Sequence, residues 1–241
     1  MYHITGFTRD EIVDLYVLIN SVERAPNSPD WPPCLGLFNS VATTLTYIRH
    51  NRTQAEIGES FGVSQPTISR AISVITPLIP SATAEHVPTA DDLDPQSQYI
   101  VEGTLLPCWS WATRKDLYSG KHKTTGMNVQ VTCTIYGQLA WISDAINGNR
   151  HDNYCLSESG VLLTMDPKNC IGDKGYVGSG MITPFKKPAG GELLDWQKEY
   201  NTRVNKIRWM IEQVISHFKT GQSSTPTTAA RSTRSPRPSQ R

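Results

Sequence analysis

Apolar positions recur every three or four residues through the first eighty residues. Ile12, Leu15, Tyr16 and Ile19 share one helical face within 8–24, where Thr8 can cap and Glu11 completes a capping box. The prolines of APNSPDWPP (25–33) mark a loop. Leu37, Val41, Leu45 and Ile48 form the stripe of a second helix over 37–50, and two further helical patterns, 53–62 and 64–79, meet at a short turn. The stretch 80–98 is polar, rich in proline and acid, and reads as a linker. The period then shortens. Tyr99–Thr104 is a β run, Met127–Thr134 alternates, Tyr136-Gly137 signals a turn and Leu139–Ser143 alternates again, which predicts a hairpin. A helix over 152–163 with Asp152 as its N-cap follows, then a short strand over 169–172. A long helix over 195–218 carries the stripe Trp196, Tyr200, Val204, Ile207, Ile211, Val214 and Phe218.

These elements predict an all-helical domain over 1–80, a linker over 81–98 and an α/β domain over 99–220. Beyond Thr220 the Ser, Thr, Pro and Arg of 221–241 predict a disordered basic tail. Composition narrows the class. No apolar run approaches the ~20 residues of a membrane helix, and the mixed N-terminus is no signal peptide. The cysteines are Cys34, Cys108, Cys133, Cys155 and Cys170, an odd set without a CxxC pair, so buried reduced thiols are expected. No HxxxH spacing suggests zinc. Net charge is +1, but residues 1–98 hold 5 Lys and Arg against 11 Asp and Glu, whereas 99–220 hold 14 against 11. The basic charge lies late in the chain.

Residues 53–75, TQAEIGESFGVSQPTISRAISVI, have the grammar of a helix-turn-helix. Thr53 caps the first helix with Glu56 three residues on, and small Ala55 sits where the second helix would cross. Gly62 suits the positive φ of the exit, Ser64 caps the second helix, and Pro66 fits its first turn. Ile68, Ile72 and Ile75 face inward. Gln65, Thr67, Ser69 and Arg70 are left to read a DNA groove; an ordinary helical hairpin is the plainer alternative.

Three carboxylates stand out in the second half: Glu102 in the first strand, Asp173 after the short later strand, and Glu212 on the long helix. In a ribonuclease H-like mixed sheet with flanking helices, acids at these three places converge on one edge and suit two Mg²⁺ ions. Arg208, Glu212 and Lys219 share a helix face, so Glu212 would ligate metal while the two bases contact phosphate. A solvated face with an (i, i+4) ion pair gives the same spacing. Lys121, Lys123 and Lys174 are further candidates for phosphate, or plain surface lysines. Cys108, Trp109 and Trp111 make an aromatic cluster, suited to base stacking or to packing.

Together these segments resemble insertion-sequence transposases of the DDE superfamily, in the branch related to Harbinger elements. LTYIRHNRTQAEIGESFGVSQPTISRAIS is similar to their helix-turn-helix, VEGTLLPCWSW to the first catalytic block and GDKGYVGSGMITPFKKP to the second. YSGKHKTTGMNVQV and WISDAINGNRHD resemble the central hairpin, and NKIRWMIEQVISHFK the Y-x2-R-x3-E-x6-K signature. The resemblance implies a metal-dependent DNA endonuclease and strand transferase using Mg²⁺ or Mn²⁺. It would act as a homo-oligomer on paired terminal repeats and target DNA, in the bacterial cytoplasm with the nucleoid. Glu102, Asp173 and Glu212 would be the catalytic acids, with Asp152 an alternative for the second. Three departures bear on activity. Glu102 replaces the family's Asp, its extra methylene displacing the carboxylate by ~1 Å against a tolerance of ~0.5 Å. Asn205 stands where the signature has Tyr, and the tail resembles a frameshift or truncation. An impaired copy, or a non-catalytic DNA-binding protein or transcription regulator, is the competing expectation.

Overall fold

The computed structural model describes residues 2–50, 52–108 and 114–220, apart from the side chains of Phe218 and Thr220. The expected tail over 221–241, Trp109 and Trp111 lie outside the described residues. The chain divides into two compact units, Met1–Val87 and Pro88–Lys219.

The first unit is helical: α1 (Tyr2–Thr5), α2 (Arg9–Ser21), α3 (Gly36–His50), α4 (Gln54–Phe61) and α5 (Gln65–Thr83). Thr8 with Glu11, and Thr53 with Glu56, close reciprocal capping boxes, each satisfying backbone N–H groups left open at a helix start. Ile12, Ile19, Leu37, Val41, Leu45 and Ile75 form one core, and Leu35, Ile57, Ile68, Ala71 and Ile72 a second. Gly62 leaves α4 at φ 65°, as its position requires. α5 continues past the expected end through Pro77 and Pro80. Leu78, Ile79 and Ala82 pack on the first core, and that burial outweighs the missing backbone donors.

Two details of the turn differ from expectation. Ala55 is exposed; the position without room is Gly58, where a Cβ would lie 2.7 Å from the Val63 carbonyl oxygen. Ser64 makes no side-chain cap, because its hydroxyl pairs with that of Thr67 at 3.0 Å.

The second unit is a mixed α/β structure. A six-stranded sheet is built from β1 (Tyr99–Pro107), β2 (Tyr118–Ser119), β3 (Thr124–Thr134), β4 (Leu139–Ile142), β5 (Ile146–Asn147) and β6 (Cys170–Ile171). β1 is central, antiparallel to β3 along its whole length and parallel to β6 on its other side. β2, β4 and β5 all pair antiparallel with β3. Helices α6 (Asp152–Ser159), α7 (Val161–Thr164) and α8 (Asp195–Thr220) flank the sheet.

Strand alternation sends neighbouring side chains of β1 to opposite faces. Tyr99 and Val101 join Leu156, Val161, Met165 and Tyr176 on the α6–α7 face. Ile100 joins Val129, Val131, Cys133, Ile211 and Ile215 on the α8 face. Leu93, inside the expected linker, is buried in the first of these clusters, and the Tyr99 hydroxyl accepts from the Asp94 N–H.

The expected helix over 152–163 is broken at Gly160, whose φ of 69° ends α6 and starts α7. The buried stripe of α8 also differs from the one expected. Asn201, Val204, Ile211 and Ile215 are buried and Arg208 half-buried, whereas Trp196 and Ile207 are exposed. Cys108, Cys133, Cys155 and Cys170 are buried free thiols, and Cys34 is exposed. Burial pushes the Cys133 thiol up to about 12 and those of Cys155 and Cys170 to about 11. Among the described residues no helix is long and apolar enough to cross a membrane.

Candidate functional site

The parallel pairing of β1 with β6 sets Ile100 opposite Ile171. Two residues further along each chain come Glu102 and Asp173, so both acids leave adjoining strands on the α8 face. A clamp from α8 fixes what lies over them. Asn201 accepts the Phe185 N–H at 2.7 Å and donates to the Phe185 carbonyl at 3.1 Å. Just before Phe185, Ile182 bonds by its N–H to Cys170 and by its carbonyl to the Gly172 N–H. This segment therefore ties α8 to the end of β6. Two helical turns after Asn201, on the same face, stands Arg208.

Arg208 spans the two acids. Its Nη2 lies 2.9 Å from Glu102 Oε2 and its Nη1 3.7 Å from Asp173 Oδ1. The Arg208 and Glu102 side chains are only 12% and 17% exposed, so this pair is largely desolvated, while Asp173 opens outward at 37%. The Arg208 Nε is buried without a hydrogen-bond partner. Burial raises the Glu102 pKa above the usual carboxylate value; Arg208 opposes this, and the like charges of Glu212 and Asp173 add to it. Glu212, one turn beyond Arg208, is exposed. Among the described residues no three His, Cys, Asp or Glu side chains are grouped closely enough to hold a metal ion as they stand.

The opposite face carries a different arrangement. Tyr176 donates its hydroxyl to Gln130 Oε1 at 2.6 Å, and Gln130 Nε2 donates to Asn128 Oδ1 at 3.4 Å. Asn128 Nδ2 donates to Asp152 Oδ1 at 3.3 Å, and Lys121 Nζ donates to Asp152 Oδ2 at 3.0 Å. Gly103 lies beneath this relay. A Cβ there would fall 2.9–3.0 Å from Gln130 Nε2, Asp152 Oδ1 and the Tyr176 oxygen, so only glycine fits without displacement. Burial pushes the Tyr176 hydroxyl above its usual range, which keeps it a donor.

Of the residues singled out from sequence, Glu102, Asp173 and Arg208 meet. Lys219 is exposed near the end of α8. Asp152 lies across the sheet from Glu102. It also does not cap α6, since His151 holds the N-cap position and Asp152 spends its oxygens on Asn128 and Lys121. Arg208 is not the free surface base expected, because its guanidinium is engaged by carboxylates. In the helix-turn-helix, Gln65 and Arg70 are exposed and Ser69 is half-buried. Thr67, expected to read a groove, is 6% exposed, its hydroxyl paired with that of Ser64 and accepting from Arg70.

Sequence reasoning missed Asn201, Gln130, Tyr176 and Gly103. One signal was present: Asn128, Gln130 and Thr132 alternate with Val129, Val131 and Cys133. Alternation suggests a solvated polar face, but β3 is covered on both sides and all three polar residues are buried.

Residues 101–225 match a family described as DDE superfamily endonuclease, and residues 33–81 match one described as helix-turn-helix of DDE superfamily endonuclease. The chain is 26% identical to a protein of Microchaete diplosiphon named "Probable transposase for insertion sequence element IS702", over 90% of this chain and 82% of that one. It is 28% identical to a protein of Streptomyces albus G named "Putative transposase for insertion sequence element IS112", over 78% of this chain and 71% of that one. No solved structure matches.

Proposed function

Because the chain belongs to the DDE superfamily endonuclease family, we propose that it is an insertion-sequence transposase that binds the ends of its element and cuts DNA there with a divalent metal. The observation that carries this reading is the pair Glu102 and Asp173, set on one face by adjoining strands and spanned by Arg208. The strand order, with antiparallel β4–β3–β1 and parallel β6, supports a ribonuclease H-like sheet.

The donor set fits a hard cation. It is all carboxylate oxygen, the space between two of the acids already takes a positive group, and burial with like charges makes Glu102 costly to ionise alone. Glu102, Asp173 and Glu212 would hold Mg²⁺ or Mn²⁺, two ions in the fullest arrangement, with Asp152 kept apart across the sheet. When bound, the metal would activate a water, or a 3′-hydroxyl of the DNA, as nucleophile at neutral pH and would steady the leaving oxygen.

The chain's own residues do the rest. Arg208 neutralises the acids and, once displaced from them, turns its guanidinium to phosphate beside Lys219. Asn201 holds α8 in register so that Arg208 and Glu212 reach this face. Gln65, Ser69 and Arg70 read or contact DNA from the first unit. Strand transfer to target DNA follows cleavage, with two or more copies on paired ends.

Glu102 is one methylene longer than the Asp expected there, which impairs the copy. The test is Mg²⁺- or Mn²⁺-dependent cleavage of a duplex carrying the element's terminal repeat, by this chain and by Glu102→Asp. Cutting that rises in Glu102→Asp supports the reading. Silence in both variants with DNA binding intact removes the nuclease and leaves a second reading, a DNA-binding protein whose acids are closed by Arg208. Absence of binding removes both.

A further inference from the structure

Lys121 stands apart from the other lysines because a buried relay ends on it. Tyr176 is 1% exposed, Gln130 0% and Asn128 6%. Buried polar groups persist in a fold when they are satisfied, and this chain satisfies them in one direction. Tyr176 donates to Gln130, Gln130 to Asn128 and Asn128 to Asp152, so Asp152 stands last as pure acceptor. Its remaining oxygen takes Lys121. Asp152 has little freedom to move: Gly103 and Gly175 bracket it, with space for a Cβ ending 3.0 and 3.4 Å from its two oxygens.

The lysine end is open. The Lys121 side chain is 63% exposed against 20% for Asp152. It sits at the tip of the β2–β3 hairpin, where Lys123 takes a φ of 51° and the His122 N–H meets the Ser119 hydroxyl. Burial works against its charge, yet the hydrogen bond and charge of Asp152, with Asp173 and Glu102 behind them, hold the ammonium above its usual pKa. The ammonium is thus an exposed cation anchored from below.

We propose that Lys121, anchored by Asp152 through the Tyr176–Gln130–Asn128 relay, is a phosphate-binding residue that seats the DNA backbone at the tip of the β2–β3 hairpin. This rests on the endonuclease reading above. Asp152 is then a positioning residue acting through Lys121. Lysine binds phosphate as a point charge and gains nothing from a flexible stem, so a fixed anchor aims it. A surface ion pair formed only for stability would not need three buried polar side chains aligned behind it.

The full chain and a short labelled terminal-repeat duplex test this, with binding followed against salt concentration. Each phosphate contact contributes about 0.9 to the slope of log K against log salt. Lys121→Ala lowers that slope by about one contact and Lys121→Arg restores it, while Lys168→Ala, a lysine outside both sites, leaves it unchanged. Acylation footprinting gives a second readout: DNA protects Lys121 from an amine-reactive ester, and raised salt removes the protection. Asp152→Asn releases the ammonium, so Lys121 in the free protein acylates faster than in wild type. Wild-type binding with an unchanged slope in Lys121→Ala, or an unprotected Lys121 in the complex, overturns the inference alone. A wild-type chain that fails to bind overturns the endonuclease reading and this inference with it.

Discussion

The Tyr176–Asp152 relay and the Arg208 cluster, on the two faces of the sheet, are built on opposite principles. On the α6–α7 face every step of the polar relay has a donor and an acceptor, and the single carboxylate is matched by a single cation. On the α8 face one guanidinium serves two acids, at 2.9 and 3.7 Å, while its own Nε goes without a partner. Burial there raises the Glu102 pKa, and the like charges of Glu212 and Asp173 add to it. The difference teaches where to look for function. A saturated polar network holds a fold in one arrangement, whereas an undersatisfied one is a place prepared for something else to bind.

The largest effect should come from removing the shared cation. Arg208→Met keeps the aliphatic stem but leaves Glu102 and Asp173 facing each other without a counter-charge. Breaking one partner out of a desolvated pair costs about 3 kcal/mol, measured as a fall in unfolding free energy at neutral pH. The loss should shrink as pH falls and the acids protonate. Mg²⁺ should raise the Tm of Arg208→Met more than that of wild type. A variant as stable as wild type at neutral pH would remove the contrast between the faces.

Next in size is a substitution that separates function from stability. Glu102→Gln removes a charge that the folded chain holds at a cost. The sign follows from the raised pKa: an acid raised in the fold favours folding when protonated, at low pH, and this contribution is lost as pH rises through the folded value. At neutral pH the amide should therefore leave Tm no lower. Cleavage of terminal-repeat DNA by Glu102→Gln should be on the order of 100-fold below that of whichever of wild type and Glu102→Asp cuts faster. Tyr176→Phe on the other face should do the reverse. It orphans Gln130 Oε1 in the interior at a cost of about 1–3 kcal/mol, seen in chemical denaturation.

The units differ in how far they could be read from sequence. Local rules governed the helical one: capping boxes at Thr8 and Thr53 and the exit at Gly62 all depend on residues within a few positions of one another. Its errors were tertiary. Gly58 and Thr67 are fixed by what packs across the turn, and α5 ignores two prolines because of the core beneath it. In the sheet unit four strands and the long helix were legible, though not the short β2 and β5, as was the approach of Glu102 to Asp173 once β1 and β6 pair. The relay was not. Tyr176, Gln130 and Asp152 are joined only by a sheet whose second covering layer no local pattern announces. The α8 stripe misled for a related reason: a face that must reach acids carries Arg208 and Asn201 among its apolar residues, so hydrophobic period alone chooses the wrong neighbours.

The smallest expected effect decides whether the relay serves the fold or the DNA. Lys121→Met cuts the relay at its solvent end, where Lys121 is 63% exposed and water replaces the ammonium at Asp152. Half-exposed ion pairs contribute about 0–1 kcal/mol, so the unfolding free energy should move by less than ~1 kcal/mol, well below the change in Tyr176→Phe. The relay would then stabilise the sheet from Tyr176 to Asp152 and merely present the lysine. A loss in Lys121→Met as large as that in Tyr176→Phe would mean the cation is a structural member of the network, held by the fold for its own sake, and the two ends of the relay would no longer have separate tasks.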